Sequence, residues 1–367
     1  MKSHLTKLFV LIILIFSIFS SCTNNNTNEL KIGVILPMTG KLSFMGEQEK
    51  NGMLIAQEKI NLSDKKIKLI FEDSKSNAKD GVNAARKLLT IDKVDILLTS
   101  TTGVSLAVVP IAESNKVDMV AFCMEPEIAK KSIFLTRLYE GVTEEAQAFV
   151  DYIDSAKSIK KIGILYNKVE AWEKVVNDKI KPSIQDNGIS LVFEEQYPVG
   201  EKDLRNIVTK LKNAKPGHLI LLSYGFEFPS LLPLFAENKI IPGTKILGGW
   251  GFLYPNVGDS LLEDILVSGP EYVFRKDSLA LEFSKLYLSK YGKESNYDAA
   301  MAYNTIDLIS SYYDSGKIKS GIRFKDLIKN KSILQSVVGP YEINNDGEMI
   351  IKTSLGVYKK GVIIIDK

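Results

Sequence analysis

The chain has 367 residues, with 47 Lys and Arg against 44 Asp and Glu for a formal charge of +3, so it has the length for two ordinary domains and is nearly neutral. No Lys/Arg block occurs, which argues against a nucleic-acid partner or a broad anionic surface. Two cysteines, a single histidine beyond the leader (His218), and no GxxxxGK[ST], HExxH, GxSxG or paired-cysteine motif leave an enzyme, a metal site and a cofactor unexpected.

Residues 1–21 read as an export leader. Lys2 and Lys7 flank the start of an apolar run over 8–18 broken only at Ser17, and Ser20 and Ser21 precede Cys22. The run is short for a transmembrane span. Phe19-Ser20-Ser21-Cys22 resembles a bacterial lipobox, with Phe at its first position. This implies cleavage before Cys22, a lipid anchor on that cysteine, and attachment to a bacterial cell membrane facing the periplasm or exterior. An ordinary leader with an incidental cysteine is the alternative. Asn- and Thr-rich residues 22–29 read as a polar tether. Beyond Cys22 only Cys123 remains, so the exported part is held by its core and not by an internal disulfide.

In residues 31–61, KIGVILPMTGKLSFMGEQEKNGMLIAQEKIN, an apolar strand stops at Pro37 and turns through Thr39 and Gly40. A loop with Phe44, Met45 and Gly46 leads into a helix whose apolar Met53, Leu54, Ile55 and Ile60 recur at helical spacing. This is the opening unit of a doubly wound α/β domain, and its loop lies at the strand's carboxyl end, where such folds bind ligands. Apolar strands follow at 67–71, 96–98 and 117–122, with helical stretches around 78–89 and 105–114. KIGVIL then recurs as KIGILY at 161–166. Strands at 191–195, 218–223, 245–248 and 265–268 alternate with helices near 172–187, 203–214 and 228–238, and His218 reads as a packed core residue. Two α/β lobes with mainly parallel sheets are predicted. The tail has two long helices, 278–291 and 296–313. An alternating segment from 339 follows, with turns at 344–347 and 359–361, and predicts an antiparallel meander closing one lobe's sheet.

The order of these features resembles a type I periplasmic solute-binding protein of the Leu/Ile/Val-binding group, the receptor of an ABC importer. Carrying the resemblance are L-P-x-T-G at 36–40, the spacing Gly40, Gly46, Gly52 with Gln48 and Glu49, Lys59-Ile60-Asn61 and Glu72-Asp73. So do TSTTGVSLAVVPIAE at 99–113, Pro126-Glu127, KIGILYN, YDAAMAYN and the closing NNDGEMI and GVYKKGVIII, so that the match runs from about residue 30 to the end. It implies two Rossmann-like lobes joined by three hinge crossovers near 138–140, 270–273 and 334–339. The N-terminal lobe would comprise 30–139 plus 271–335, and the C-terminal lobe 140–270 plus 336–367. It also implies a monomer that holds a small-molecule solute by lobe closure, with permease and ATPase subunits as partners.

The loop Thr99–Gly103 is rich in hydroxyls and opens a helix, whose free N–H groups suit an anion. The resemblance places a solute carboxylate there, on Ser100, Thr101 and Thr102; simple helix capping is the other role open to them. Phe122, Cys123 and Met124 follow the next strand, with Met124 where amino-acid binders carry a Thr; Cys123 reads equally as a small buried thiol. Met45, beside Phe44, occupies the mouth. From the second lobe come Trp172, Tyr224, Phe226 and Trp250, the last standing where amino-acid binders carry a Glu for the α-ammonium. An indole attracts a cation through its π face, less directionally than an ion pair. Glu125, Glu170 and Glu227, near these loops, read as solvated surface acids. The pocket so read is aromatic and sulfur-rich, and favours a carboxylate-bearing or neutral apolar solute over a standard branched-chain amino acid. A ligand-sensing module of the same fold, signalling through a partner, is the other function class open to this sequence.

Overall fold

Parallel strands with crossover helices on both sides leave neither face to water, so they are written as continuous apolar runs. The computed structural model describes residues 29–274, 278–313 and 321–365. The leader 1–21, the anchor cysteine Cys22 and the tether up to residue 28 lie outside the described residues. Strands β1 (Glu29–Leu36), β2 (Lys66–Asp73), β3 (Ile96–Ser100), β4 (Asp118–Phe122) and β5 (Leu135–Arg137) form a parallel sheet in the order β2-β1-β3-β4-β5. Every residue of β3 and β4 is buried. The crossover helices are α1 (Ser43–Asn61), α2 (Ala78–Lys87) and α3 (Thr102–Asn115).

The second lobe repeats the scheme. It contains α4 (Val142–Ser155), β6 (Lys161–Asn167), a helical stretch α5 over 170–186, β7 (Ser190–Tyr197), α6 (Arg205–Ala214), β8 (His218–Leu222), α7 (Phe228–Glu237), β9 (Lys245–Gly248) and β10 (Leu266–Pro270). His218, expected in the core, is half-buried at the start of β8, with its ring 6.1 Å from that of Tyr152. Helices α8 (Ser278–Tyr291) and α9 (Tyr297–Tyr313) return to the first lobe, where Phe283, Tyr287 and Met301 join its core.

The terminal alternating segment is shared between two sheets. β11 (Lys331–Ile333), β12 (Tyr341–Ile343) and β13 (Met349–Ile351) form a small antiparallel sheet, and Tyr341, Ile343, Met349 and Ile351 pack into the first lobe's core. β14 (Thr353–Lys359) and β15 (Val362–Ile365) then extend the second sheet antiparallel, giving the order β15-β14-β10-β9-β8-β6-β7. The third crossover therefore lies around Lys352, not near 334–339 as expected, and 336–351 sit with the first lobe rather than the second. Period-two alternation fixes which side chains turn inward but not which sheet receives them.

Helices α1 and α9 cross closely at Gly52, where a Cβ would stand 2.0 Å from the Ala299 carbonyl oxygen. Backbone cannot yield as a flexible side chain does, so Gly52→Ala should cost about 2 kcal/mol or more. The measurement is the urea midpoint of unfolding; an unchanged midpoint would show that this crossing is not tightly constrained.

Candidate functional site

Loops from the carboxyl ends of both sheets enclose a cavity of about 220 Å³. The first lobe contributes Met45 and Glu49 of α1, Thr101, Thr102 and Gly103 at the start of α3, and Phe122, Cys123 and Met124 after β4. The second contributes Val169, Ala171, Trp172, Tyr224 and Trp250, while Tyr139 comes from the passage between lobes. Hollows of about 410 and 440 Å³ lie elsewhere, on the outside of the second lobe and beside the passages. They bring together none of these loops.

On the first-lobe wall, Thr101 adopts φ 74° and ψ 142°, in the left-handed range of φ that a β-branched residue rarely occupies. Its N–H donates to the Phe122 carbonyl and its own carbonyl accepts from Ser105 N–H, both at 3.0 Å. These bonds hold a conformation that costs on the order of 1–3 kcal/mol. Helix α3 has no side-chain cap, which leaves first-turn N–H groups available to an acceptor in the cavity. Ser100 does not line the cavity. It is fully buried, and its Oγ donates to Glu49 Oε1 at 2.7 Å. Cys123 does line it, as an uncharged thiol that burial pushes up to about 12. Met124 packs against the cores of both lobes.

The second-lobe wall is built on Glu145, a buried acid of α4. One of its oxygens accepts from the Trp250 backbone N–H, and the other from Trp172 Nε1 at 3.2 Å. Trp250 Nε1 donates to the Tyr139 hydroxyl at 3.2 Å, which donates in turn to Asp298 Oδ1 at 2.5 Å. The Tyr224 ring stands 5.2 Å from that of Trp172 and 6.4 Å from that of Trp250, the latter pair edge-on at 85°. Phe226 lies outside the lining and stacks on Tyr224 at 5.6 Å. Phe44 packs against Tyr254 at 5.7 Å.

Of the three acids read as surface groups, Glu170 is exposed and Glu125 half-buried. Glu227 is buried, accepting from Ser223 Oγ at 2.7 Å and Gly200 N–H at 2.6 Å. Its partners converge from other loops, which its sequence neighbourhood could not show.

Buried carboxyls stand in and behind the cavity walls. Burial, then repulsion from Asp298, holds the Glu49 carboxyl well above its ordinary range, and its second oxygen is buried without a partner. Burial pushes Asp298 up to about 6 and Glu145 up to about 7. No Lys, Arg or His is among the described lining residues. Tyr139, Glu145 and Asp298 were not singled out from the sequence. A signal existed for Glu145, which falls on the apolar stripe Val142, Glu145, Phe149, Ile153 at helical spacing, all of it buried.

A carboxyl whose folded value is raised favours the folded state only while protonated there. Its stability is complete below the unfolded value and is lost as pH rises through the folded one. For Glu145 that window runs from about 4.5 to about 7, a loss on the order of 3 kcal/mol. The Glu145→Gln variant, lacking the titration and one acceptor, should be less stable at pH 5 yet lose less stability between pH 5 and 7. Chemical denaturation across that range checks this, and parallel slopes for the two proteins would refute it.

The sequence profile of a family described as periplasmic binding protein matches residues 29–359. The Leu/Ile/Val-binding protein homolog 3 of Brucella melitensis is 31% identical over 194 residues, covering 51% of this chain and 52% of that protein. The matched stretch thus spans about half of that relative's length. Among solved structures, a solute binding protein of an ABC transporter from Rhodopseudomonas palustris, in complex with 3,4-dihydroxybenzoic acid, superposes with a TM-score of 0.81. It shares 21% identity, with 92% of this chain and 96% of that one covered. The branched-chain amino acid transporter substrate binding protein LivJ from Streptococcus pneumoniae, in complex with isoleucine, gives 0.78 at 20% identity, covering 92% and 99%. At these identities the structures establish the fold alone.

Proposed function

The chain belongs to the periplasmic binding protein family, and we propose that it is the extracytoplasmic receptor of an ABC importer, anchored by lipid at Cys22. In this reading it captures a small carboxylate-bearing solute, amino-acid-like or otherwise apolar, between its lobes and presents it to permease and ATPase subunits. The observation that carries the reading is the cavity itself. Its two walls belong to different lobes, with an uncapped helix start on one side and three aromatic rings on the other. The two similar structures hold carboxylate ligands, isoleucine and 3,4-dihydroxybenzoic acid. Binding energy drives closure only through contacts absent from the open form, and a solute touching both walls supplies such contacts. A permease can then distinguish loaded from empty receptor by the relation of the lobes.

Gly103 offers a direct test. A Cβ there meets nothing within 4 Å, so Gly103→Leu leaves the backbone undisturbed while filling the carboxylate end of the cavity. A thermal-shift screen over carboxylate solutes should identify one that raises the melting temperature of the unmodified protein. Stabilisation is about 2.7 kcal/mol at a hundredfold excess over Kd. The Gly103→Leu protein should melt normally alone and lose that shift at the same concentration. A full shift in the variant would place the solute elsewhere.

A further inference from the structure

The second-lobe wall is poor in acceptors for an ammonium that carries hydrogens. It presents no acid to the cavity among the described residues. Glu145 lies behind the rings with both oxygens already engaged, by the Trp250 amide and the Trp172 indole. Tryptophan is a donor only, and both indole N–H groups are already engaged, by Glu145 and by the hydroxyl of the lining residue Tyr139. Of Trp172, Tyr224 and Trp250, only Tyr224 has a side-chain oxygen that could accept. A primary ammonium held among the three rings would find only the Tyr224 and Tyr139 hydroxyls as side-chain acceptors on that wall, and would give up part of its hydration. An ammonium with no hydrogens loses nothing by the exchange, and aromatic faces attract it.

Charge points the same way. The lining holds one ionisable carboxyl, Glu49, and no cationic side chain among the described residues. Glu49 sits against the start of α3 through Ser100, and its second oxygen is fully buried and unpartnered. Asp298 stands behind the wall, joined through Tyr139 to Trp250. With no cationic side chain in the lining, a solute that brings its own positive charge can neutralise its carboxylate inside the cavity. At the outer edge of the aromatic stack an ammonium is already seated, since Lys41 Nζ of the first lobe lies 5.5 Å from the Phe226 ring centroid.

Resting on the solute-receptor reading above, we infer that the solute is a betaine-type zwitterion. Its carboxylate takes the uncapped start of α3, and its fully alkylated ammonium lies among Trp172, Tyr224 and Trp250.

The test uses probes that differ only in the charged centre. Calorimetric titration of the full chain compares glycine betaine with 3,3-dimethylbutyrate, its carbon isostere lacking the positive charge, and with leucine and benzoate. Glycine betaine should bind at least about tenfold more tightly than the isostere. Trp250→Leu and, independently, Trp172→Leu should shrink that ratio toward one, read on whichever variant folds. Equal or tighter binding of the isostere, or preference for leucine or benzoate, overturns the inference and leaves the solute-receptor reading standing. Failure of glycine betaine to bind likewise overturns the inference, while the receptor reading is decided separately by the solute screen.

Discussion

A buried guanidinium fixes the passage by which the chain leaves the first lobe. Arg137, at the end of β5, is 1% exposed. Its Nη1 donates to the Tyr139 carbonyl at 2.5 Å, and its Nη2 donates to Glu348 Oε2 and the Met349 carbonyl, each at 3.2 Å. A bridge between Arg137 and Glu348 lays the first passage alongside the approach to the third. Glu348 also accepts from the backbone N–H groups of Glu127 and Ala129, so the ion pair is embedded in hydrogen bonds that offset its desolvation. Such a pair adds little net stability, but it is strict about position. Two residues on, Tyr139 is thereby set between the lobes, and the contacts to Trp250 and Asp298 depend on that placement.

The same region accumulates acids that water does not reach. Glu49, Glu140, Glu145 and Asp298 are all raised, each chiefly by burial. Burying carboxyls without a nearby cation opposes folding, and a chain selected only for stability would replace them with apolar groups. Here they cluster around one cavity and one hinge. Glu145 orients two tryptophans that share no sequence neighbourhood, and Asp298 terminates the chain of donors that begins at the Trp250 indole. Stability is given up where the geometry of the cleft is set.

Much of this was legible in the sequence because loops at the carboxyl ends of parallel strands must border a cleft in this fold. Met45, Thr101, Thr102, Phe122, Cys123, Met124, Trp172, Tyr224 and Trp250 were singled out from such loops together with the family resemblance, and all line the cavity. Ser100 and Phe226 do not. In Thr99-Ser100-Thr101-Thr102 the residue type is uniform, so nothing in the string says where β3 ends and the turn into α3 begins; Ser100 is the last residue of β3 and is buried with the rest of it. Phe226 lies within the 3-10 turn Gly225–Glu227 that Tyr224 opens, and stacks on Tyr224 outside the lining. The acids were harder to read. Glu227 is recruited by Asn167, Tyr197 and Ser223, and Glu145 by Trp172 and Trp250, pairings that exist only after the strands are ordered.

The residues that border the cavity are also the residues that join the lobes. Met124 packs against both cores, and Trp250 of the second lobe reaches Asp298 of the first through Tyr139. Parting the lobes removes a wall from the cavity and breaks this donor chain together. In the proposed reading, assembly of the pocket and apposition of the lobes are one equilibrium, not two in series. Any solute that contacts both walls shifts it by the free energy of those contacts, whatever its chemistry. The chemistry of the walls decides only which solute does so.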